Sequence, residues 1–107
     1  MKTNTYLSNA FSLQMLNLDA NTTVSVAPIA PHDVPADAVS CIGHPDTAHV
    51  VSDILGREVP MNRANVKLNA GDILYVAQLS GGRLPEGATT LPEGFTLKFL
   101  KVTVADA

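Results

Sequence analysis

The hydrophobic pattern of the chain predicts five strands, separated by turns that contain glycine, proline, asparagine or aspartate. The segment 21–27 alternates polar and β-branched residues, and the segment 73–79 is the most hydrophobic stretch. Pro28 is expected to end the second strand, because proline has no N–H to donate to a strand ladder. The predicted strands cover residues 5–7, 21–27, 65–68, 73–79 and 95–104.

A helix of about three turns is predicted directly after His44. Pro45 suits its first position, where the missing N–H would have no partner in any case, and Asp46 complements the positive end of the helix dipole. Gly56 can end this helix in the left-handed conformation. Apolar residues recur at helical spacing between the two ends, at Val50, Val51, Ile54 and Leu55.

A second, shorter helix is predicted over residues 33–39, with Asp33 as its cap and Pro35 in its first turn. Residues 69–72 predict a turn, because Asn, Gly and Asp tolerate the backbone angles of a reversal. Strands mixed with two short helices indicate an α/β fold. We therefore expect one small domain, residues 1–107, with a mixed β-sheet of about five strands flanked by short helices.

The composition is that of a globular protein, since 46% of the 107 residues are apolar and 16% are charged. This length is typical of one domain with its own hydrophobic core. No apolar run has the length of a membrane span, and no signal peptide is recognisable. We therefore expect no membrane partner and a cytoplasmic location.

The charge balance narrows the class of partner. The formal net charge is −3, and the seven lysines and arginines form no basic run. Proteins that bind long nucleic-acid duplexes usually carry a basic surface, so duplex nucleic acid is not an expected partner. A small anionic ligand is still compatible with this charge, because a few well-placed donors can hold it in a pocket.

His44 is the first candidate for chemistry. It lies between a glycine and the predicted helix start, where free backbone N–H groups and the helix dipole favour a phosphate. A phosphate bound there would favour the imidazolium, which can act as a general acid. The alternative is a histidine that only caps the helix or completes the turn.

No metal site or cofactor is predicted. His32 lies in a proline-flanked loop, and His49 lies on a different helical face from His44. Metal binding needs several ligands that converge at fixed spacing, which these histidines do not provide. Cys41, the single cysteine, lies in an apolar stretch and is expected to be a small buried hydrophobe rather than a nucleophile.

Five further residues are candidates with a structural alternative beside each. Arg83 and Glu86 lie in a glycine-bounded loop, where arginine offers a planar fork to phosphate oxygens, but both residues could also simply be solvated. Asn9 and Ser12 follow the first strand and could bind a ligand or cap a turn. Arg63 follows a proline turn and could bind phosphate or remain solvated.

Taken together, five segments resemble the viral type III anti-CRISPR ring nucleases, and they occur in the order and at the approximate spacing of that family. No single segment is specific, so the resemblance rests on the ordered set. The segments are YLSNAFS (residues 6–12), IGH (42–44), NR (62–63), GDILYV (71–76) and RLPEG (83–87).

The resemblance implies a homodimer whose two-fold axis matches the symmetry of cyclic tetra-adenylate, the second messenger of type III CRISPR systems. It implies cleavage without metal, by attack of a ribose 2′-hydroxyl on the neighbouring phosphate, which leaves a 2′,3′-cyclic phosphate. His44, Arg83 and Glu86 would match the catalytic histidine, the phosphate-binding arginine and the loop glutamate. The residues that would match ligand-contacting positions are Asn9, Ser12, Gly43 and Arg63.

One segment departs from the family pattern. Members of the family carry a helix between the RLxEG loop and the last strand, whereas residues 88–94 are too few for one. Pro92 and Gly94 also disfavour a helix there. Two alternatives to a nuclease therefore remain open: a protein that sequesters a cyclic nucleotide without cutting it, and a structural viral protein of the same fold.

Overall fold

The apolar segments of the chain assemble into one mixed sheet of five strands with a single α-helix. The computed structural model describes residues 4–16, 19 and 21–106. The helix α1 is Pro45–Leu55, and Leu13–Met15 and Pro31–Asp33 are single 3-10 turns. The strands, β1 to β5 in chain order, are Thr5–Ser8, Thr22–Ile29, Val39–Ser40, Ile73–Ser80 and Thr96–Asp106. The predicted α/β fold with a mixed sheet is confirmed.

The strand order in the sheet is β2-β5-β4-β1-β3. β1 pairs in parallel with both β3 and β4, whereas β5 pairs antiparallel with both β4 and β2. Since parallel strands point the same way, the carboxyl ends of β1, β3 and β4 lie at the same side of the sheet. Leu7 lies opposite Ser40 and Ser8 lies opposite Val76, so β4 extends four residues beyond the end of β1. We call this side the carboxyl edge. Ligands of open α/β sheets usually bind beyond such an edge.

Both faces of the sheet are packed with aliphatic side chains, as expected for a chain without tryptophan. One face packs against α1, and the opposite face is covered by the segments around Leu16 and Val66. The buried residues of the α1 face are Leu7, Val34, Ile42, Ala48, Val51, Val59, Tyr75, Ala77 and Phe99. Those of the opposite face are Leu16, Val66, Leu68, Leu74, Val76, Val102 and Val104.

The expectation that Pro28 ends the second strand is wrong. Pro28 lies inside β2 and faces Leu100 of β5. β2 is an edge strand, so part of its backbone has no ladder partner and does not need the N–H that proline lacks. β2 therefore continues to Ile29.

The helix predicted over residues 33–39 is also wrong. The chain makes the 3-10 turn at Pro31–Asp33, where the Asp33 carboxylate accepts a hydrogen bond from the Ala30 N–H at 3.1 Å. A single further turn follows, in which the Ala38 N–H donates to the Pro35 carbonyl at 3.3 Å. Val34 is already extended, with φ −76° and ψ 119°. It precedes Pro35, whose ring disfavours the helical conformation of the preceding residue.

Residues 65–68 do not form the predicted strand. Among the described residues, this segment pairs only through a parallel bridge between Leu68 and Leu16. Val66 and Leu68 are buried, whereas Asn65 and Lys67 are exposed. The alternation that predicted a strand thus reflects burial of one side of an extended segment against the sheet, without a ladder.

Candidate functional site

Three of the segments that contain candidate residues begin at the carboxyl edge. Asn9 follows β1, the Gly43–His44 pair follows β3 after two intervening residues, and Arg83 follows β4 after two glycines. The parallel pairing of β1 with β3 and β4 therefore brings together chain segments that are more than 70 positions apart in sequence.

His44 is the N-cap residue of α1, as the sequence predicts. Its backbone is extended, with φ −125° and ψ 132°, and its exposed side chain makes no capping hydrogen bond. The His44 carbonyl accepts the Ala48 N–H at 3.0 Å, so the N–H groups of Asp46 and Thr47 precede the first intrahelical bond. Such first-turn N–H groups are suited to bind an anion.

A cleft of about 660 Å³ lies at this helix start, and we call it the His44 cleft. It brings together the three residues predicted to be catalytic: His44, Arg83 and Glu86. All three are exposed, so their side chains are accessible to a ligand. The remaining lining residues are Pro45, Asp46, Thr47, Leu79 and Leu84.

Arg63 also lies beside the helix start. Its guanidinium donates from Nη2 to the Gly43 carbonyl at 3.4 Å, and its side chain passes close to the Gly43 backbone. A second cation is thus adjacent to His44. Gly43 is half-buried, and a Cβ built there would be in ordinary van der Waals contact with the Arg63 side chain, 3.5 Å from Nε.

Two residues that the sequence analysis did not single out hold Arg63 in place. The Asn62 N–H donates to the Ile42 carbonyl, and its side-chain Nδ2 donates to the Ser40 carbonyl, both at 2.8 Å. The buried Ser40 hydroxyl donates to the Pro60 carbonyl at 2.6 Å. These bonds join positions at least 20 apart, so no local pattern could have indicated them.

Asn9 and Ser12 are not part of the His44 cleft within one chain. Asn9 lines a separate groove of about 390 Å³, whose walls include Val76 and Gln78. Since Gln78 and Leu79 are consecutive in a strand, this groove and the His44 cleft open on opposite faces of the sheet. Ser12 caps the first 3-10 turn by accepting the Gln14 N–H at 3.2 Å. This is the capping role that the sequence analysis gives as the alternative to ligand binding.

The charges around the His44 cleft are balanced within one chain. Arg83 and Arg63 supply positive charge, and Asp46 and Glu86 supply negative charge. The Asp46 carboxylate accepts a hydrogen bond from the Gly87 N–H at 3.2 Å. Among the described residues, no group of three or more His, Cys, Asp or Glu side chains is arranged to hold a metal ion.

Cys41 adjoins the Ile42–Gly43–His44 segment but is not suited to be a nucleophile. Burial raises the pKa of its thiol, which keeps the thiol protonated at neutral pH. The Sγ atom lies 3.7 Å from the Val39 carbonyl. The sequence predicted a buried Cys41, whereas the residue is only half-buried.

Comparison with known proteins identifies the family. The sequence profile described as STIV B116-like matches residues 5–97, which is most of the chain. The chain belongs to the STIV B116-like family. No curated protein sequence matches it significantly.

Eight chains of solved structures match this chain significantly. B116 of Sulfolobus turreted icosahedral virus (STIV) superimposes with a TM-score of 0.74 at 24% sequence identity. The match covers 94% of this chain and 98% of the STIV chain. At this identity the similarity establishes the fold, and it agrees with the viral family to which the resemblance pointed.

In this B116-family protein, the segment after Gly87 does not form a helix, as the sequence predicts. Residues 88–94 contain turns and irregular backbone, and the next element is β5. Within the loop between β4 and β5, the residues that line the His44 cleft are Arg83, Leu84 and Glu86, which precede this irregular stretch.

None of the helices among residues 4–16, 19 and 21–106 has the length and hydrophobicity of a membrane span.

Gly81 closes the base of this loop against the start of β5. Its φ is +117°, and a Cβ built there would lie 2.9 Å from the Gly94 carbonyl oxygen and 3.0 Å from Phe95 Cα. Gly56, at the end of α1, also has a positive φ, +70°, but a Cβ there would meet nothing within 4 Å.

Replacing Gly81 by alanine is expected to lower the free energy of unfolding by about 3 kcal/mol, because backbone strain and a clash with backbone atoms add. Gly56→Ala is the matched control and is expected to cost about 1 kcal/mol from strain alone. Urea unfolding followed by circular dichroism measures both variants. Equal losses for the two would contradict the close approach at Gly81.

Proposed function

We propose that this protein is a ring nuclease that binds cyclic tetra-adenylate and cleaves it without a metal ion, thereby countering type III CRISPR signalling. The observation that supports this most directly is that His44, Arg83 and Glu86 line one cleft at the N-terminus of α1. These are the residue types that the reaction needs, and they come from segments about 40 positions apart.

The reaction requires little of the protein, because the nucleophile belongs to the substrate. A ribose 2′-oxygen attacks the adjacent phosphorus and loses its proton to solvent, while the bond from phosphorus to the 5′-oxygen breaks. His44 protonates the departing 5′-oxygen, and Arg83 offsets the negative charge on the phosphate. Glu86 orders the loop around the site. The product is a linear oligoadenylate with a 2′,3′-cyclic phosphate and a 5′-hydroxyl.

The helix start contributes to the same charge balance. The N–H groups of Asp46 and Thr47 and the positive end of the helix dipole favour a phosphate beside His44. That phosphate in turn favours the protonated imidazole, which is the form that can donate a proton. Arg63, which is held at Gly43, is in position to contact a neighbouring phosphate or ribose.

The proposed active form is a homodimer. One chain has a formal charge of −3. In and beside its His44 cleft, two arginines are balanced by two carboxylates. Two copies around one ring double the number of histidines and arginines that face its four phosphates. A two-fold axis also gives opposite phosphates of the ring equivalent surroundings. Asn9 and Ser12, which lie outside the His44 cleft of their own chain, are proposed to reach the ring in this assembly.

The purified protein is expected to convert cyclic tetra-adenylate to linear products in excess EDTA. Cyclic tri- and hexa-adenylate, incubated in parallel, test the preference for ring size. Chromatography of the nucleotides after a time course measures the conversion. A ring that stays intact at protein concentrations above that of the nucleotide would contradict the nuclease.

Sequestration without cleavage is the second candidate, and the absence of a helix over residues 88–94 favours it. Without a helical cover, the His44 cleft holds a ring less firmly in the in-line geometry that cleavage needs. Size-exclusion chromatography with cyclic tetra-adenylate separates the two functions. Intact ring that elutes with the protein supports sequestration, and linear product excludes it.

A further inference from the structure

The residues that connect β4 to β5 form a loop with a narrow base. Gly81 and Gly94 approach each other so closely that a Cβ at Gly81 would clash with the Gly94 carbonyl. The hydrogen bonds inside this loop are short-range: the Ala88 N–H donates to the Pro85 carbonyl, and the Phe95 N–H donates to the Pro92 carbonyl. Neither bond fixes the direction in which the loop leaves the sheet.

One contact joins the middle of this loop to α1. The Asp46 carboxylate, in the first turn of the helix, accepts the Gly87 N–H at 3.2 Å across 41 positions of sequence. Among the described residues, it is the only hydrogen bond that connects residues 83–94 to the helix. A backbone N–H donating to a carboxylate is a charge-assisted bond, which is stronger than a neutral one.

The clefts on either side of this contact show that the loop lies across the start of α1. Arg83 and Glu86, before Gly87, line the His44 cleft. Thr89, after Gly87, lines a second cleft of about 670 Å³ beside the helix, and Pro45 borders both clefts. The bond between Asp46 and Gly87 therefore lies where the loop crosses from one cleft to the other.

We propose that Asp46 is a positioning residue, which holds the loop through the Gly87 N–H so that Arg83 and Glu86 face His44. This proposal rests on the proposed function for its consequence, but the contact itself can be tested without a substrate. The negative charge of Asp46, in the first turn, also interacts favourably with the positive end of the helix dipole. A purely dipolar role would depend on its charge, whereas the positioning role depends on its hydrogen-bond acceptor.

Limited proteolysis with trypsin tests the contact directly, because Arg83 is exposed in the loop. In Asp46→Ala, cleavage after Arg83 is expected to become roughly tenfold faster, which reflects loss of one charge-assisted hydrogen bond. Cleavage after Lys67, an exposed residue in the segment that covers the face of the sheet opposite α1, serves as the internal reference for general unfolding. Asp46→Asn keeps an acceptor oxygen but loses the charge, so its rate is expected to lie between those of the wild type and Asp46→Ala. The control Asp53→Ala, on the same helix, is expected to remain close to the wild-type rate.

The kinetic consequence follows from the roles of Arg83 and Glu86. Asp46→Ala is expected to lower kcat for cyclic tetra-adenylate about tenfold with little change in KM, and Asp46→Asn is expected to recover part of this loss. Equal defects in both variants, or faster cleavage after Lys67 as well as after Arg83, would overturn the positioning role. If the wild-type protein cleaves no ring at all, the proposed function fails, and the proteolysis result alone decides whether Asp46 holds the loop.

Discussion

Replacement of His44 by alanine is expected to slow cleavage of cyclic tetra-adenylate by about 10³-fold, within the range that a general acid contributes. The 5′-oxygen is a poor leaving group as an alkoxide, and the imidazole is the group in the cleft that is suited to protonate it. Binding is expected to change little, because the helix N–H groups and the arginines remain. Single-turnover rates and equilibrium binding of the ring, measured on the same preparations, separate the two effects.

His49→Ala is the matched control for this experiment. It also removes an exposed histidine from α1, but His49 does not line the His44 cleft. Its cleavage rate is expected to stay within about twofold of the wild-type rate. Normal turnover by the His44 variant would exclude the proposed role of His44, and a loss of binding equal to the loss of rate would show that His44 only holds the ring.

Arg83→Ala is expected to reduce kcat by about 10²- to 10³-fold, the usual effect of removing one donor that stabilises a developing charge. Arg83→Lys is expected to recover part of this loss, because it restores the charge but not the planar pair of donors. The comparison of the two variants therefore measures how much of the effect depends on geometry. Rates at saturating ring concentration are the relevant measurement.

The control for Arg83 is Lys98→Ala, which removes an exposed cation from β5, outside the His44 cleft. This variant shows how much of any loss comes only from the lower positive charge of the protein, which is expected to be small at moderate salt. If Lys98→Ala and Arg83→Ala were equally impaired, a specific contact between Arg83 and the reacting phosphate would be excluded.

Local signals predicted the part of the fold that places His44. Pro45, Asp46 and Gly56 each have a physical preference for one position of a helix, and the structure uses all three at those positions. The hydrophobic strands β4 and β5 were also predictable, because a short apolar run bounded by turn residues is typical of a buried strand. Where several local preferences agree, tertiary contacts rarely override them.

Elements that depend on neighbours were not predictable in the same way. Whether Pro28 ends a strand depends on whether that strand lies at the edge of the sheet, and the sequence alone does not show this. The alternation at residues 65–68 looks the same whether a segment pairs in a ladder or packs one side on a sheet. At Val34, the restriction imposed by the following proline outweighed the helix signals at Asp33 and Pro35.

The candidate site shows the same division. The position of His44 at a helix start could be predicted from the neighbouring residues in the sequence. Its proximity to Arg83 and Glu86 was expected only from the family resemblance, because it depends on the parallel pairing of strands that are distant in sequence. Ser40 and Asn62 were missed because their hydrogen bonds join distant segments. Which side of the sheet Asn9 and Ser12 would occupy relative to His44 also required the strand register.

The phosphate at the end of the product tests the central chemical claim most directly. Phosphorus-31 NMR of cyclic tetra-adenylate, incubated with the protein in excess EDTA, is predicted to show a 2′,3′-cyclic phosphate on a linear product. The same ring made of 2′-deoxyadenylate, which lacks the nucleophile, is predicted to remain uncut. A terminal 5′-phosphate, or cleavage of the deoxy ring, would contradict an attack by the ribose hydroxyl.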